Sequence, residues 1–393
     1  MSLIAPPLSL YVHMPWCVKK CPYCDFNSHG LRSEPPPYAG YIDYLLADLD
    51  ADRADFAAAL EGRPVVSRPL ISVFFGGGTP SLFSPELIAR LLDGVRERMP
   101  LADDAEITLE TNPGTVEHGR FDGYLAAGVN RISFGVQSFD DDKLRRLGRI
   151  HSANEAEAAV KSAQDAGYEN INLDLMYALP QQDLDGALAD VARAVALQPT
   201  HISHYQLTLE PNTVFAANPP PLPDDDHAWA MQEACEAQLA AAGYGQYEIS
   251  AYARPGRRCV HNLNYWQFGD YLGIGAGAHG KLSDAASGDI HRRWKTRGPR
   301  AYMDAAAGPA RVGGDNRVEA GELPFEYMLN ALRLIDGVPM AAFAERTGLP
   351  IERIATGLAA ARQRGWLRDD PERLHTTALG QRFLNDVIAS FLD

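Results

Sequence analysis

Three cysteines, Cys17, Cys21 and Cys24, stand on one short stretch, WCVKKCPYCDF, as C-x3-C-x2-C. A thiolate is both a nucleophile and a metal ligand, and three on one loop in a reducing compartment would be reactive unless a metal held them. One chemistry this allows is a structural zinc completed by His13 or His29, although zinc sites usually pair their ligands across a longer insert. The other is a four-iron cluster, in which three thiolates leave one iron open to bind a substrate or cofactor. The chain has five cysteines, an odd number, and a disulfide framework is not expected. Cys235 reads as a small buried thiol in an Ala- and Gln-rich helix, while Cys259 stays open because His261 lies two residues on.

FFGGGTPS (Phe74 to Ser81) suggests a ligand contact of another kind. Three consecutive glycines let the backbone approach a bound group with no Cβ in the way, and Thr79 and Pro80 fix the exit; alone, the stretch also reads as a tight turn. Further on, Glu110 in TLETNPG, Gln137 in FGVQSF and Asp174 in NLDLMYALP interrupt apolar runs, and Arg149 in LGRIHS adds a cation. Buried polar groups need partners. Here those are either neighbouring loops or the ribose, adenine and amino-acid groups of a ligand.

The elements that must position these residues follow a simple alternation. Short β-rich runs (Leu8 to His13, Leu70 to Phe75, Glu106 to Glu110, Arg131 to Gln137, Ile171 to Met176, His201 to Leu207) alternate with amphipathic stretches such as Tyr38 to Ala59, Pro85 to Met99, Glu155 to Ala166 and Leu184 to Leu197. That is an α/β pattern, a parallel sheet with helices outside, and six units predict a partial (β/α)6 barrel. The cysteine loop directly follows the first strand, and the C-terminal strand ends of parallel barrels carry the chemistry. The alternation stops at the Pro-rich stretch Pro211 to Pro223, which sets the barrel at 1–210. Over 211–317, a helix (Asp224 to Ala242), a strand (Gln246 to Tyr252) and a Gly-, aromatic- and His-rich segment (His261 to Gly280) are expected to extend the sheet and cover its mouth. Over 318–393 the pattern is helical, with Met340 to Thr347, Ile351 to Gly365 and Trp366 to Thr377 in the helix, helix, hairpin order of a winged helix.

Composition narrows the partners. The chain has 393 residues, 46% apolar and 22% charged, which is the range of a globular protein. Its 36 Lys and Arg face 51 Asp and Glu, a net charge of −15 that argues against a polyanion-binding surface. From Pro339 to Asp393 seven Arg and no Lys stand against seven Asp and Glu, whereas a module that contacts phosphates is basic. Packing or partner docking is therefore the expected role of the C-terminal region, with no nucleic acid. No apolar run reaches the ~18 residues that suggest a membrane-spanning helix, and Met1 to Trp16 lacks the basic start of a signal peptide. The cytoplasm is the expected compartment.

The spacing C-x3-C-x2-C after a strand resembles the signature of radical S-adenosylmethionine enzymes. The resemblance implies a 4Fe-4S cluster on Cys17, Cys21 and Cys24, with S-adenosylmethionine on its open iron and one-electron cleavage of the sulfonium to a 5′-deoxyadenosyl radical. Gly77, Gly78 and Thr79 resemble the superfamily's glycine motif, which holds the methionine amino group. The Y-V-H-x-P run, the residue before the third cysteine and the polar strand ends look like those of the coproporphyrinogen dehydrogenase branch. That implies S-adenosylmethionine contacts from Tyr11, Tyr23, Glu110, Gln137, Arg149 and Asp174.

Two departures separate the chain from the true dehydrogenases, which carry a fourth cysteine as C-x-C and a long N-terminal extension. Here Asp25 and Phe26 follow Cys24, and sixteen residues precede Cys17. The C-x-F form and the motif H-N-x-x-Y-W, present as His261, Asn262, Tyr265 and Trp266, resemble the HemW family, regarded as heme chaperones. This implies heme, an apo-hemoprotein acceptor and an electron donor such as flavodoxin or ferredoxin; a transient membrane-protein contact and a homodimer are compatible with it. An imidazole can ligate heme iron, and Tyr265 and Trp266 offer flat faces with polar tips. The bland reading makes HNLNYW a core segment in which His261 caps a turn. GAGAHG (Gly275 to Gly280) fits G-x-G-x-x-G without a surrounding βαβ unit, so close backbone packing beside the heme motif is expected there, not a dinucleotide. The alternative function is a radical decarboxylase acting on coproporphyrinogen III propionates, and a third is a binding-only role in which the cluster regulates conformation or dimerisation.

Overall fold

The computed structural model describes residues 3–31, 35–59, 67–114, 120–305 and 308–392. Its first eight strands are β1 (Leu8–Met14), β2 (Trp16–Cys17), β3 (His29–Gly30), β4 (Leu70–Gly77), β5 (Leu101–Thr111), β6 (Arg131–Gln137), β7 (Ile171–Tyr177) and β8 (His201–Gln206). β1, β4, β5, β6, β7 and β8 lie side by side in parallel, the six units that the alternation predicts. β5 begins at Leu101 rather than Glu106, since Leu70 of β4 already pairs with Leu101 although Asp103 and Asp104 stay exposed. The crossover helices are capped where the sequence allows. Ser152 and Glu155 form a reciprocal capping box on Ala153–Asp165, and Asp183 accepts the Gly186 amide on Leu184–Ala196.

Alternation along each strand sorts the side chains. Val12, Val73, Phe75, Leu109, Phe134, Leu173 and Ile202 point outward and are buried under Leu91, Val95, Val160 and Val191 of the helices in one continuous core. The opposite set is polar: Ser9, His13, Ser72, Glu106, Arg131, Ser133, Asn172 and His201 are buried on these same strands. The inside of this barrel is thus a polar column, in contrast to the layered apolar filling of a closed eight-stranded barrel.

After β8 the sheet grows at both edges. β9 (Gly245–Glu248) and β10 (Ala251–Ala253) add antiparallel to β8, and β11 (Asp270–Ile274) adds parallel to β1, followed by β12 (His279–Ser283), β13 (Ile290–Lys295) and β14 (Val312–Arg317) to complete a 12-stranded sheet. The strand expected over Gln246 to Tyr252 is two strands, because the chain reverses at Ile249 and Ser250, where Glu248 Oε1 accepts from the Ser250 amide at 3.2 Å and its hydroxyl at 2.9 Å.

A larger correction concerns the mouth. The 261–280 segment extends the sheet, but its helix Val260–Trp266 closes the opposite end of the barrel, where Asn264 Nδ2 donates to Ser9 Oγ at 2.9 Å and His261 Nδ1 bonds Ser72 Oγ at 2.8 Å. Because β11 runs parallel to β1, the chain has to enter it from the N-terminal end of the barrel.

The C-terminal region has its own core around Phe268, Val318, Tyr327, Met328, Phe343 and Leu358. It carries the helices Leu323–Ala331, Ala341–Thr347 and Ala355–Gln363, with β15 (Val338–Pro339) paired antiparallel to β16 (Arg373–Leu374). Helix, helix and hairpin follow in the expected order, the wing also pairing back to the strand before its first helix. Among the described residues no helix is long and apolar enough to cross a membrane.

Candidate radical S-adenosylmethionine site

The cysteine loop leaves β1 at its C-terminal end and is fixed by three anchors. Asn27 Nδ2 donates to Ala276 O at 2.9 Å and Arg297 O at 2.8 Å, the Phe215 amide donates to Pro22 O at 3.0 Å, and β2 pairs with β3. Cys24 Sγ lies 3.5 Å from Ser28 Oγ, and Arg149 Nη1 lies 3.7 Å from Cys21 Sγ. Burial pushes the Cys17 thiol up from its ordinary value, an effect that a hydrogen bond from Thr79 partly offsets.

All three thiols line one cavity of about 310 Å³ at the barrel mouth. Tyr23, Gly77, Gly78, Thr79, Glu110, Gln137, Arg149 and Asp174 line it too, so tertiary structure brings together residues up to 157 positions apart in sequence. Tyr11 is the exception among the expected contacts. Its hydroxyl shares a hydrogen bond with His13 Nδ1 at 2.9 Å, one layer below the cavity. His13 Nε2 in turn bonds Asn27 O at 3.0 Å, so both nitrogens of this imidazole are occupied and it is not placed as a fourth zinc ligand.

Two half-buried carboxyls form the floor. Glu110 is raised to about 8, first by burial and then by repulsion from Asp174, although it accepts the Gly77 amide at 3.2 Å. Asp174 is raised by burial as well, against hydrogen bonds from Asn172 and Ser203 and the charges of Arg131 and Arg149. Arg149 is held by Asn112 Oδ1 and Gly135 O. Its Nε and Thr111 Oγ1, both on cavity-lining residues, have no hydrogen-bond partner among the described residues.

Three thiols, two raised carboxyls and unsatisfied donors around one hollow fit a cluster with a ligand that carries an ammonium and hydroxyls. Such a ligand would relieve the carboxyl repulsion and satisfy the orphaned atoms.

Several lining residues are absent from the sequence-derived set. Asn112 links Thr79 Oγ1, at 2.7 Å, to Arg149; it lies inside TLETNPG, two residues past Glu110. Ser203 and Tyr205 project from β8, and Tyr205 donates to Gln137 Oε1 at 2.9 Å. The polar alternation of HISHYQ is the signal that would have found them.

The glycine motifs also stand at close approaches between segments. A Cβ on Gly77, where φ is +107°, would meet the His13 ring at 2.4 Å, and one on Gly78 would meet Trp16 O at 2.5 Å. These glycines let β4 pass beneath the cysteine loop, while their backbone lines the cavity. GAGAHG packs beside the cysteine loop rather than beside HNLNYW: a Cβ on Gly275 would meet His13 O, and one on Gly277 would meet Asn27 Nδ2, each at 2.4 Å.

HNLNYW stands apart from the cavity. His261 is buried, bonds Ser72 Oγ through Nδ1 and Tyr265 OH through Nε2 at 3.1 Å, stacks on Phe74 with centroids 4.8 Å apart, and is lowered to about 3 by burial. Its amide donates to Glu106 Oε1 at 3.1 Å, and Cys259 Sγ donates to the same oxygen at 3.3 Å. Asn262, Tyr265 and Trp266 are half-buried; Tyr265 meets Tyr271 edge-on, and Trp266 lies under Arg333. Iron ligation by His261 would require breaking one of these two ring hydrogen bonds.

The comparisons with known proteins agree with this geometry. The family model described as "Radical SAM superfamily" matches residues 11–192, and that described as "HemN C-terminal domain" matches 318–383. The chain is 51% identical to "Heme chaperone HemW" of Escherichia coli over 98% of both chains. It is 33% identical to the protein of that name from Bacillus subtilis over 98% of this chain and 99% of that one. Among solved structures, E. coli "Coproporphyrinogen III oxidase (HemN)" superposes with a TM-score of 0.81 at 23% identity, covering 99% of this chain and 90% of that one, which is a likeness of fold. With thiols, glycine turn and polar strand ends gathered at one barrel mouth, and with identity to its members running from end to end, the chain belongs to the HemW family of the radical SAM superfamily.

Proposed function

We propose that this protein is a heme chaperone that holds a 4Fe-4S cluster and S-adenosylmethionine at the barrel mouth, binds heme and passes it to an apo-hemoprotein in the cytoplasm. The observation that carries the reading is the 51% identity to a protein named as a heme chaperone, spread over 98% of both chains. The oxidase shares the fold at 23% identity.

In this reading Cys17, Cys21 and Cys24 hold three of the irons, and the fourth is left for S-adenosylmethionine. When bound, the cluster supplies one electron to the sulfonium, drawn from a flavodoxin- or ferredoxin-type donor. The remaining roles belong to the chain. Glu110 and Asp174 accept hydrogen bonds from the ligand's ammonium and hydroxyls, and Arg149, fixed by Asn112, offsets the charge of the thiolates. Gln137 is oriented by Tyr205, and Tyr23 packs against Phe215 to wall one side. Phe26, 60% exposed at the rim, stands where the dehydrogenases that the motif resembles carry their fourth cysteine.

The test is an anaerobic titration of the cluster-reconstituted chain with heme, beside a coproporphyrinogen III decarboxylation assay. Saturable heme binding without decarboxylation is expected. Decarboxylation without saturable heme binding would overturn the reading.

A further inference from the structure

Two other segments press on the outer side of the cysteine loop. The turn Leu147 to Ile150, which follows the helix Asp141–Arg146, comes so close to Pro22 that a Cβ on Gly148 would meet Pro22 Cδ at 2.7 Å. The helix Val214–Ala217 is tied to the same proline, since the Phe215 amide donates to Pro22 O at 3.0 Å. Beneath them Leu147 and Phe215 pack with Tyr23. Pro22 follows the second cysteine, so three segments meet directly beside it.

What these segments expose is both apolar and basic. Val18, Ile150 and Val214 are 42%, 56% and 61% exposed; one such residue alone carries no message, but three on segments that meet at one proline mark a contact surface. Exposed cations stand beside them, Lys19 on the loop and Arg145 and Arg146 at the end of their helix that leads into the turn. Asp25 on the loop is exposed too, and Asp142 pairs with Arg145. The chain has six lysines and a net charge of −15, yet two of the six, Lys19 and Lys20, lie between the first and second cysteines. The surface is also one residue from a thiol. Arg149, between Gly148 and Ile150, puts Nη1 3.7 Å from Cys21 Sγ. Electron transfer slows steeply with distance, so a protein donor has to dock where so little lies between it and the cluster.

We propose that this face of the cysteine loop docks the one-electron donor, an acidic carrier protein of the flavodoxin or ferredoxin type, with Val18, Ile150 and Val214 at the centre of the contact and Lys19, Arg145 and Arg146 at its rim. Electron carriers use small, transient contacts, and interfaces place apolar groups at the core and charges at the rim. Local cations let an acidic carrier approach a chain of the same overall sign. The proposal rests on the reading that the cavity holds a reducible cluster, and adds to it the place where the electron enters. One electron leaves the carrier, whose anionic flavin hydroquinone becomes the neutral semiquinone with no proton exchanged, and the cluster passes from its oxidised to its reduced state.

The experiment uses the full chain with its cluster reconstituted, under anaerobic conditions, with an acidic flavodoxin and in parallel an acidic ferredoxin as probes. Affinity for each oxidised probe is measured by calorimetry at low and high salt, and cluster reduction by each reduced probe is followed by electron paramagnetic resonance. Wild type is compared with Arg146→Glu, Val214→Ser and Lys161→Glu, every sample normalised to its iron and sulfide content. Lys161 is exposed on the helix Ala153–Asp165, about two turns beyond the turn that carries Ile150, and its reversal changes the net charge equally. Arg146→Glu is expected to weaken carrier binding about threefold to tenfold at low salt and less at high salt. Val214→Ser is expected to weaken it about threefold at either salt, and Lys161→Glu to match wild type. Dithionite, a small reductant that needs no docking surface, is expected to reduce the cluster alike in all four. If Arg146→Glu and Val214→Ser bind and accept electrons as Lys161→Glu does, or if wild type binds neither carrier while dithionite reduces its cluster, the docking proposal is overturned and the cluster reading stands. An altered oligomeric state of Arg146→Glu by light scattering, with carrier binding unchanged, would overturn it in favour of a second copy of the chain. Failure of dithionite to reduce the wild-type cluster would bring down the radical reading itself.

Discussion

Glu110 and Asp174 govern how the cavity responds to pH. Glu110 has its folded value raised from 4.5 to about 8, so the folded protein holds that proton more tightly than the unfolded chain does. Its contribution to stability is fully present below pH 4.5 and is lost as pH rises through about 8. A ligand ammonium favours the carboxylate instead. Affinity for S-adenosylhomocysteine, which keeps the ammonium and ribose, is therefore expected to rise from pH 6 to pH 8 by up to about tenfold per unit. Calorimetric titration of wild type and Glu110→Gln checks this, and an unchanged slope in the variant would remove Glu110 from the ligand's shell. At the same scale, Cys21→Ala is expected to abolish cluster iron and sulfide, whereas His261→Ala retains them. The latter strips Ser72 and Tyr265 of a partner and empties a packed site, so a loss of about 2–4 kcal/mol in urea unfolding is expected. The cysteine trio was legible because all three fall on one loop. Sequence does not show that Tyr11, two residues before His13 on the same strand, spends its hydroxyl on that imidazole.

The elements that carry these residues depend on close approaches between strands and loops. β4 passes under the cysteine loop only because Gly78 has no Cβ to meet Trp16 O at 2.5 Å, a backbone atom that cannot swing aside. Gly78→Ala is expected to lift the loop and to lower cluster iron after reconstitution by at least half, with near-native far-UV circular dichroism; full iron content would show that the loop tolerates the shift. At the other end, the helix Val260–Trp266 acts as a plug. Asn264, buried, donates to both Ser9 Oγ and Asp270 O, at 2.9 and 2.8 Å. Asn264→Ala is expected to cost about 1–3 kcal/mol, measured as a shift in urea midpoint. The strands and their order of appearance were legible from periodicity, since a parallel unit repeats its own local pattern. The end of the barrel that each loop occupies was not. Neither Ser72 nor Glu106 shows in sequence that His261, 189 and 155 residues away, is its partner.

For the whole molecule, a buried ionic clasp ties the first helix to the sheet extension. Asp48 and Asp52 on Tyr38–Ala59 hold Lys295 of β13 and Arg311, with Lys295 Nζ 2.7 Å from Asp52 and Arg311 Nε 3.1 Å from Asp48. Removing Lys295 leaves Asp48 with Arg311 and Asp52 with Arg311 and Arg293 but takes one cation from a buried cluster, so Lys295→Met is expected to destabilise by up to about 3–5 kcal/mol. A urea midpoint equal to that of wild type would mean that the clasp adds nothing. Sequence alone determined the α/β class, the six parallel units, the cysteine loop and the polar strand ends. Each of these is written in a spacing or a period that a short segment carries by itself. Only the tertiary structure decided that Glu110 and Asp174 repel across one cavity, that HNLNYW plugs the far end of the barrel, and that the glycines sit where backbone and side chains of other segments approach within a Cβ's reach. The physical reason is that burial, charge coupling and steric room are properties of pairs of segments, and which segments pair is settled by the closure of the sheet.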